Sequence, residues 1–294
     1  MGRKQKFQAV VLSVRIPDDK DRNYPSLLKK LYNLKKSVQV YPGTGMALTS
    51  FNESTRQGTI SKFSIIDLDG EWFDESGFGP ASDEDLKKIS IPGNLKPNLI
   101  SKPIYLDEKD HLVAVMTYSV GKSISPTQVA KFFQTVVSLP EIMDEFGAVQ
   151  VDLFKDSDEI EALLKIKTLK EVRIVVSRPN HIMAGVAKEL EDALKAENAD
   201  ELNRTIKSKG DDFLEPGPQT QALGLLAAEN GSVSVKYVDD GASVSSNSES
   251  KTLVKTIISD DPEATEIGVF QRLKEFLFGA VHENRAKAQQ AIEE

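Results

Sequence analysis

The 294-residue chain has no cysteine, three histidines and one tryptophan. Without thiols there is no disulfide framework, no thiolate nucleophile, no iron–sulfur cluster and no cysteine-ligated zinc. His111, His181 and His282 are scattered, with no pair at helical i, i+4 spacing and no HExxH pattern. A zinc site would need three unrelated segments to converge. No run of about 18 apolar residues is present, so no helix of the sequence spans a membrane. Met1-Gly2-Arg3-Lys4-Gln5-Lys6 leads into an alternating stretch and not into an apolar signal segment. With the missing cysteine, this points to a cytoplasmic protein and no membrane partner. No GxSxG elbow is present, which argues against that class of serine hydrolase. No repeat of solenoid length occurs.

Positive charge is also short overall, with 37 Lys/Arg against 45 Asp/Glu and a net charge of −8. It is unevenly placed. The first 36 residues carry ten Lys/Arg and three Asp, whereas the other 258 carry 27 Lys/Arg and 42 Asp/Glu. A basic end on an acidic body attracts phosphate locally while the rest of the surface repels it. The basic set is Arg3, Lys4, Lys6, Arg15, Lys29, Lys30, Lys35 and Lys36. Of these, Arg3, Lys4, Lys6, Lys29, Lys30 and Lys36 are the expected contacts to nucleic-acid phosphate. Lysines act as point charges without a base code, so such binding should be weakly sequence-specific.

Apolar periodicity predicts an α+β protein with mainly antiparallel sheet. Phe7–Ile16 reads as a central strand. A helix follows from Pro25, with Leu27, Leu28, Leu31 and Leu34 on one face and Lys29, Lys30 and Lys36 opposite. Strands are predicted at 37–41, 45–53 and 58–68, then an irregular stretch from Asp69 to Pro103 with one short helix at Asp83–Lys88. Residues 104–107 and 111–120 predict a hairpin, and Ser125-Pro126 a helix start. A strand (148–154), a helix (157–165), a strand (169–177) and a long helix at about 182–208 come next. A helix over 219–229, a hairpin (231–237 and 242–246), a strand (251–259) and a terminal helix from about Ala264 complete the chain. That last helix carries Phe270, Leu273, Leu277 and Val281 on one face. A boundary near Gly121 divides the expectation into a β-rich N-terminal domain with the basic arm and helix, 1–121, and an α+β C-terminal domain, 122–294.

Four motifs bear on chemistry. Gly121-Lys122-Ser123 sits between a strand and a helix, as in a P-loop, but the glycine required five residues earlier is Met116, so it reads as a turn. Asp67-Leu68-Asp69-Gly70-Glu71 places three carboxylates at alternate positions. Asp67, Asp69 and Glu71 are therefore the alternative site, a metal-dependent nuclease or phosphoesterase. Trp72-Phe73 reads as a plug packing the loop onto the sheet, with base stacking as the lesser reading. Arg178-Pro179-Asn180 ends an apolar strand, and Arg178 is placed to reach a phosphate or a carboxylate.

Several stretches carry a family resemblance. They are Gly58-Thr59-Ile60-Ser61-Lys62-Phe63, Trp72-Phe73, Ile91-Pro92-Gly93-Asn94-Leu95-Lys96-Pro97-Asn98, Val172–Asn180 and Ala227-Ala228-Glu229-Asn230-Gly231. In this order they resemble a bacterial family of domains of unknown function, over nearly the whole chain, which brings no activity with it. More distantly, the order of elements in the second half resembles RexA-type phage exclusion proteins, and KwaB-type defence proteins look similar. That resemblance implies a non-catalytic homodimer that binds DNA with little sequence preference in antiphage defence or phage exclusion. It transfers no individual residue, and a net charge of −8 argues against extended wrapping of duplex. No cofactor is expected. A further alternative is an adaptor that binds a protein partner from the same operon through the apolar face of the terminal helix.

Overall fold

The computed structural model describes residues 4–17, 19–178 and 186–293. Strand β1 (Gln5–Arg15) is buried from Ala9 to Arg15, as its Val-rich run requires of a central strand. Helix α1 (Tyr24–Asn33) is capped by Asn23, whose side chain accepts from the Ser26 N–H at 2.9 Å. It buries Leu27, Leu28 and Leu31. Strands β2 (Ser37–Tyr41), β3 (Thr44–Asn52) and β4 (Gln57–Ser64) form the expected meander. The irregular stretch holds the two-residue strands β5 (Phe73–Asp74) and β6 (Gly79–Pro80) and the one-turn helix α2 (Asp83–Leu86). Strands β7 (Ile100–Asp107) and β8 (Leu112–Ser119) make the predicted hairpin.

Strand β9 (Lys122–Ser123) folds straight back onto β8. Val120 and Gly121 turn the chain with φ of 46° and 77°, so Gly121-Lys122-Ser123 is the tip and return of a hairpin and not a phosphate loop. Helix α3 (Pro126–Val137) opens with a full capping box between Ser125 and Gln128, and α4 (Pro140–Phe146) follows it. Then come β10 (Gln150–Leu153), α5 (Ser157–Leu164), β11 (Leu169–Ser177), α6 (Val186–Ala196) and β12 (Glu201–Lys207). The chain closes with α7 (Pro218–Asn230), β13 (Gly231–Asp239), β14 (Ala242–Asn247), β15 (Val254–Ser259) and α8 (Glu266–Glu293).

The class is α+β, as expected, with antiparallel pairing throughout the described strands. The larger sheet runs β10-β1-β8-β7-β4-β3-β2, with β9 on β8. Strand β15 shares one edge of β1 with β10: β15 pairs Gln5–Val10, and β10 pairs Leu12–Arg15. The sheet therefore runs across the boundary placed at Gly121, since two strands from the later half complete the edge of the first strand. A second sheet runs β12-β11-β13-β14.

Two cores lie on opposite faces of β1. Val10, Leu12 and Val14 pack with α1, α3 and α4, whereas Phe7, Ala9 and Val11 pack with α5, α7, α8 and the second sheet. The alternation of a strand explains this division. Phe270, Leu273, Leu277 and Val281 of α8 are at most 2% exposed. The stripe read as a docking face is thus consumed by the protein's own core.

The long helix expected at 182–208 is a correction. Helix α6 ends at Ala196, Asn198 adopts a left-handed φ of 53°, and the Ala199 N–H returns to the Leu194 carbonyl. Residues 201–207 then alternate between exposed and half-buried along β12. The helical reading failed because Leu202, Arg204 and Ile206 have period two.

The stretches that carried the family resemblance have physical roles. A side chain at Gly58 would meet the Ser50 carbonyl oxygen at 2.6 Å, and one at Gly231 the Val175 carbonyl oxygen at 2.0 Å. Ser61 links Thr49 and Ser101 across three strands. Glu229, fully buried, receives two hydrogen bonds from Arg285 of α8, at 2.8 and 3.0 Å.

Candidate functional site

The predicted basic residues fall into two groups along the order of the larger sheet. Lys4 and Lys6 lie at the start of β1, and Lys36 precedes β2, five strands away in the sheet order. Arg3 lies outside the described residues. The two groups share a feature that charge counting did not reveal, because each is built around a tyrosine ring.

In the first group, Lys6 lies over Tyr118 with its Nζ 5.7 Å from the ring centroid. Lys4, Gln5, Lys6, Tyr118, Val120 and Gly121 line a depression of about 320 Å³. Lys4 is 3.9 Å from Asp260, a contact between two largely exposed side chains that adds little. In the second group, Lys35 sits 3.2 Å and Lys29 5.9 Å from the Tyr32 centroid. Tyr32 and Tyr118 are both half-buried. Ammonium groups beside an aromatic face suit phosphate contact together with sequence-tolerant base stacking.

Lys30 and Lys36 behave differently. Lys30 donates to Glu145 at 2.7 Å, and Lys36 donates to Glu141. Both carboxylates belong to α4, so Lys30 ties α1, and Lys36 the segment just before β2, to that helix. The hydrogen bond from Lys36, together with the helix-terminal backbone and the lysine charges, holds the Glu141 carboxyl below its ordinary pKa. The opposite face of α1, read as solvated and basic, is thus partly neutralised by an acidic neighbour that appears more than 100 residues later in the sequence.

The acidic loop does not assemble a metal site. Asp67 accepts from the Asp69 N–H at 3.1 Å, which closes a local turn. Among the described residues no three His, Asp or Glu side chains come together in a metal-ligating group. Phe73 is 63% exposed and packs edge-to-face on Phe78 at 5.5 Å, so it is not the expected plug; only Trp72 is half-buried. His111 stacks on Tyr24 at 4.1 Å, and His282 is 2.9 Å from Asp110. His181, Pro179 and Asn180 lie outside the described residues.

A third cationic group was only half legible. Arg15, at the end of β1, and Arg178, just after β11, line a cavity of about 480 Å³ with Pro17, Asp19, Gly147, Ala148, Gln150 and Asp200. Arg15 is 6% exposed and donates from Nη1 to Gln150 at 3.3 Å. Arg178 donates from Nη2 to the Ala199 carbonyl at 2.8 Å, with Asp200 at 4.0 Å. Burial, then the charges of Arg178 and Arg22, lower the Arg15 pKa, and Asp200 and Glu191 partly offset them. Arg22 had no sequence signal. Its charge nonetheless acts on Arg15.

Residues 3–275 match the model of DUF4747, a domain of unknown function, and the chain belongs to that family. No curated protein matches the chain.

Proposed function

We propose that this chain is a non-catalytic protein that holds nucleic acid, DNA in particular, through its phosphate backbone with little regard to sequence. The observation that carries this reading is the pairing of lysines with half-buried tyrosines at two places, Lys4/Lys6 with Tyr118 and Lys29/Lys35 with Tyr32. The concentration of positive charge in the first 36 residues supports it. A cytoplasmic homodimer and a role in antiphage defence or phage exclusion belong to the same proposal, and they rest on the likeness in layout to RexA-type and KwaB-type proteins. Among the described residues no helix is long and apolar enough to cross a membrane. The test is retention on DNA after charge reversal of Lys29 and Lys35, with Lys30 and Lys36 reversed in a separate variant. Unchanged retention in both variants defeats the reading.

A second reading, contact with a protein partner, is favoured by Phe73 and Phe78. Both rings are exposed, in a stretch of sequence that also carries Asp67, Asp69, Glu71, Asp74 and Glu75. A partner with apolar pockets in a basic surface suits that combination. Replacing both rings by serine should abolish co-purification with such a partner while leaving DNA retention intact.

A further inference from the structure

We infer, resting on the reading of this chain as a holder of nucleic-acid phosphate, that the depression at the start of β1 receives an unpaired base, so that this site takes single-stranded DNA in preference to duplex. The first sign is the tip of the β8–β9 hairpin. Ser119 pairs with Lys122, which leaves Val120 and Gly121 as a two-residue loop. Both have positive φ, 46° and 77°. That is the pattern of a type I′ turn, whose first position favours Asn, Asp or Gly. A β-branched residue is strained there, because its side chain crowds the backbone in the left-handed region. Val120 is nonetheless 69% exposed, so burial does not offset the strain. A side chain that the turn disfavours and the core does not use is free to serve a ligand.

The surroundings of Val120 say which ligand. Val120 and Gly121 line the depression with Lys4, Gln5, Lys6 and Tyr118. Its volume of about 320 Å³ lies at the lower end of small-ligand pockets and suits one planar base. Strand alternation puts Lys6 and Gln8 on one face of β1, and Gln8 stands opposite Tyr118 in the β1–β8 register. The Lys6 ammonium is accordingly 5.7 Å from the Tyr118 ring centroid. Lys4 and Lys6 are both exposed. The contact of Lys4 with Asp260, 3.9 Å long and largely exposed on both sides, is screened by solvent.

Two ammonium groups for the flanking phosphates, an aromatic ring and an apolar side chain are the parts of a single-strand site. Phosphate contact alone has no use for Val120. In a duplex the faces of each base are covered by its neighbours, so packing against Tyr118 and Val120 requires an unpaired base.

The experiment measures, by fluorescence anisotropy, the affinity of the full chain for a short DNA strand, the same strand annealed to its complement, and an abasic strand of equal length. The base-bearing strand is expected to bind at least about fivefold more tightly than the abasic one, the scale of one stacking contact. Tyr118→Leu is expected to reduce that difference and to leave duplex affinity unaltered, whereas Tyr118→Phe retains it. Val120→Asn is expected to weaken binding of the strand severalfold while raising the thermal midpoint, because Asn suits the turn. Equal affinities for the base-bearing and abasic strands, or a strand affinity unchanged in Tyr118→Leu or in Val120→Asn, overturns the inference. If all three probes bind alike, the phosphate-holding reading stands without it; if none binds at low salt, both fall.

Discussion

Lys30 on α1 donates to Glu145 on α4 at 2.7 Å, so a lysine that charge alone marks as a phosphate contact is already held by the protein's own carboxylate. Lys36 and Glu141 repeat the arrangement. The lysines lying over Tyr32, Lys29 and Lys35, are the better candidates for phosphate. Reversing Lys29 and Lys35 together should weaken DNA binding more than reversing Lys30 and Lys36. It should also flatten the dependence of log affinity on log salt by about 2. Conversely, Glu141→Gln with Glu145→Gln should tighten DNA binding by releasing the other two lysines. Fluorescence anisotropy with a labelled duplex reads all three variants.

Arg285 ties α8 to the rest of the core through Glu229, which is fully buried, and Asp110, which is 7% exposed. Removing the guanidinium strips Glu229 of its cation and leaves Asp110 with His282. Arg285→Met should cost roughly 3–5 kcal/mol in chemical denaturation, the usual penalty for breaking a buried ion pair from one side. Replacing Glu229 by Gln in the same background should restore part of that loss, because it removes the stranded charge. No recovery would show that the network is not the cause.

Asp110 also makes a pH prediction. Burial pushes its carboxyl upward, but the hydrogen bond from His282 and the charge of Arg285 outweigh burial and leave its pKa below the ordinary value. A carboxyl depressed in the folded state contributes stability that is fully present above its unfolded pKa near about 4 and is lost as pH falls through the folded value. Asp110→Asn should therefore be less stable than the parent protein at pH 7, with the gap closing as the pH is lowered below about 4. Denaturant midpoints at several pH values check this, and a constant gap would be the contrary result.

Gly231 sits where α7 passes directly into β13, against the backbone of Val175. Its φ of 167° is extended, so the requirement for glycine is space and not backbone handedness. Gly231→Ala should separate the β11–β13 pair and lower the thermal midpoint by several degrees, whereas Gly121→Asn, at an open turn with φ of 77°, should be nearly neutral.

Most of the fold was legible because it rests on local signals. The Val-rich run of β1, the Asn23 and Ser125 caps and the stripe Phe270, Leu273, Leu277 and Val281 each announce an element within a few residues. Helix α4 and strand β12 were missed for opposite reasons. Seven residues give α4 too short a period to read, and the polar sequence of β12 hides its alternation beside a strong helix. The candidate site was less legible because its determinants are long-range. Glu141 and Glu145 neutralise lysines more than 100 residues earlier. Tyr118 meets Lys6 only through the pairing of β1 with β8. Arg15 and Arg178, far apart in sequence, line one cavity. Local charge density marks a basic region of the chain but does not say which of its charges are already paired.

The most direct test of the central claim is the affinity of the full chain for short single- and double-stranded DNA and RNA over a series of salt concentrations, with the Lys29→Glu/Lys35→Glu variant alongside. The account predicts affinity that falls steeply with salt, differs little between sequences and is lost in the variant. Absence of binding at low salt, or binding that is insensitive both to salt and to the two reversals, would contradict it.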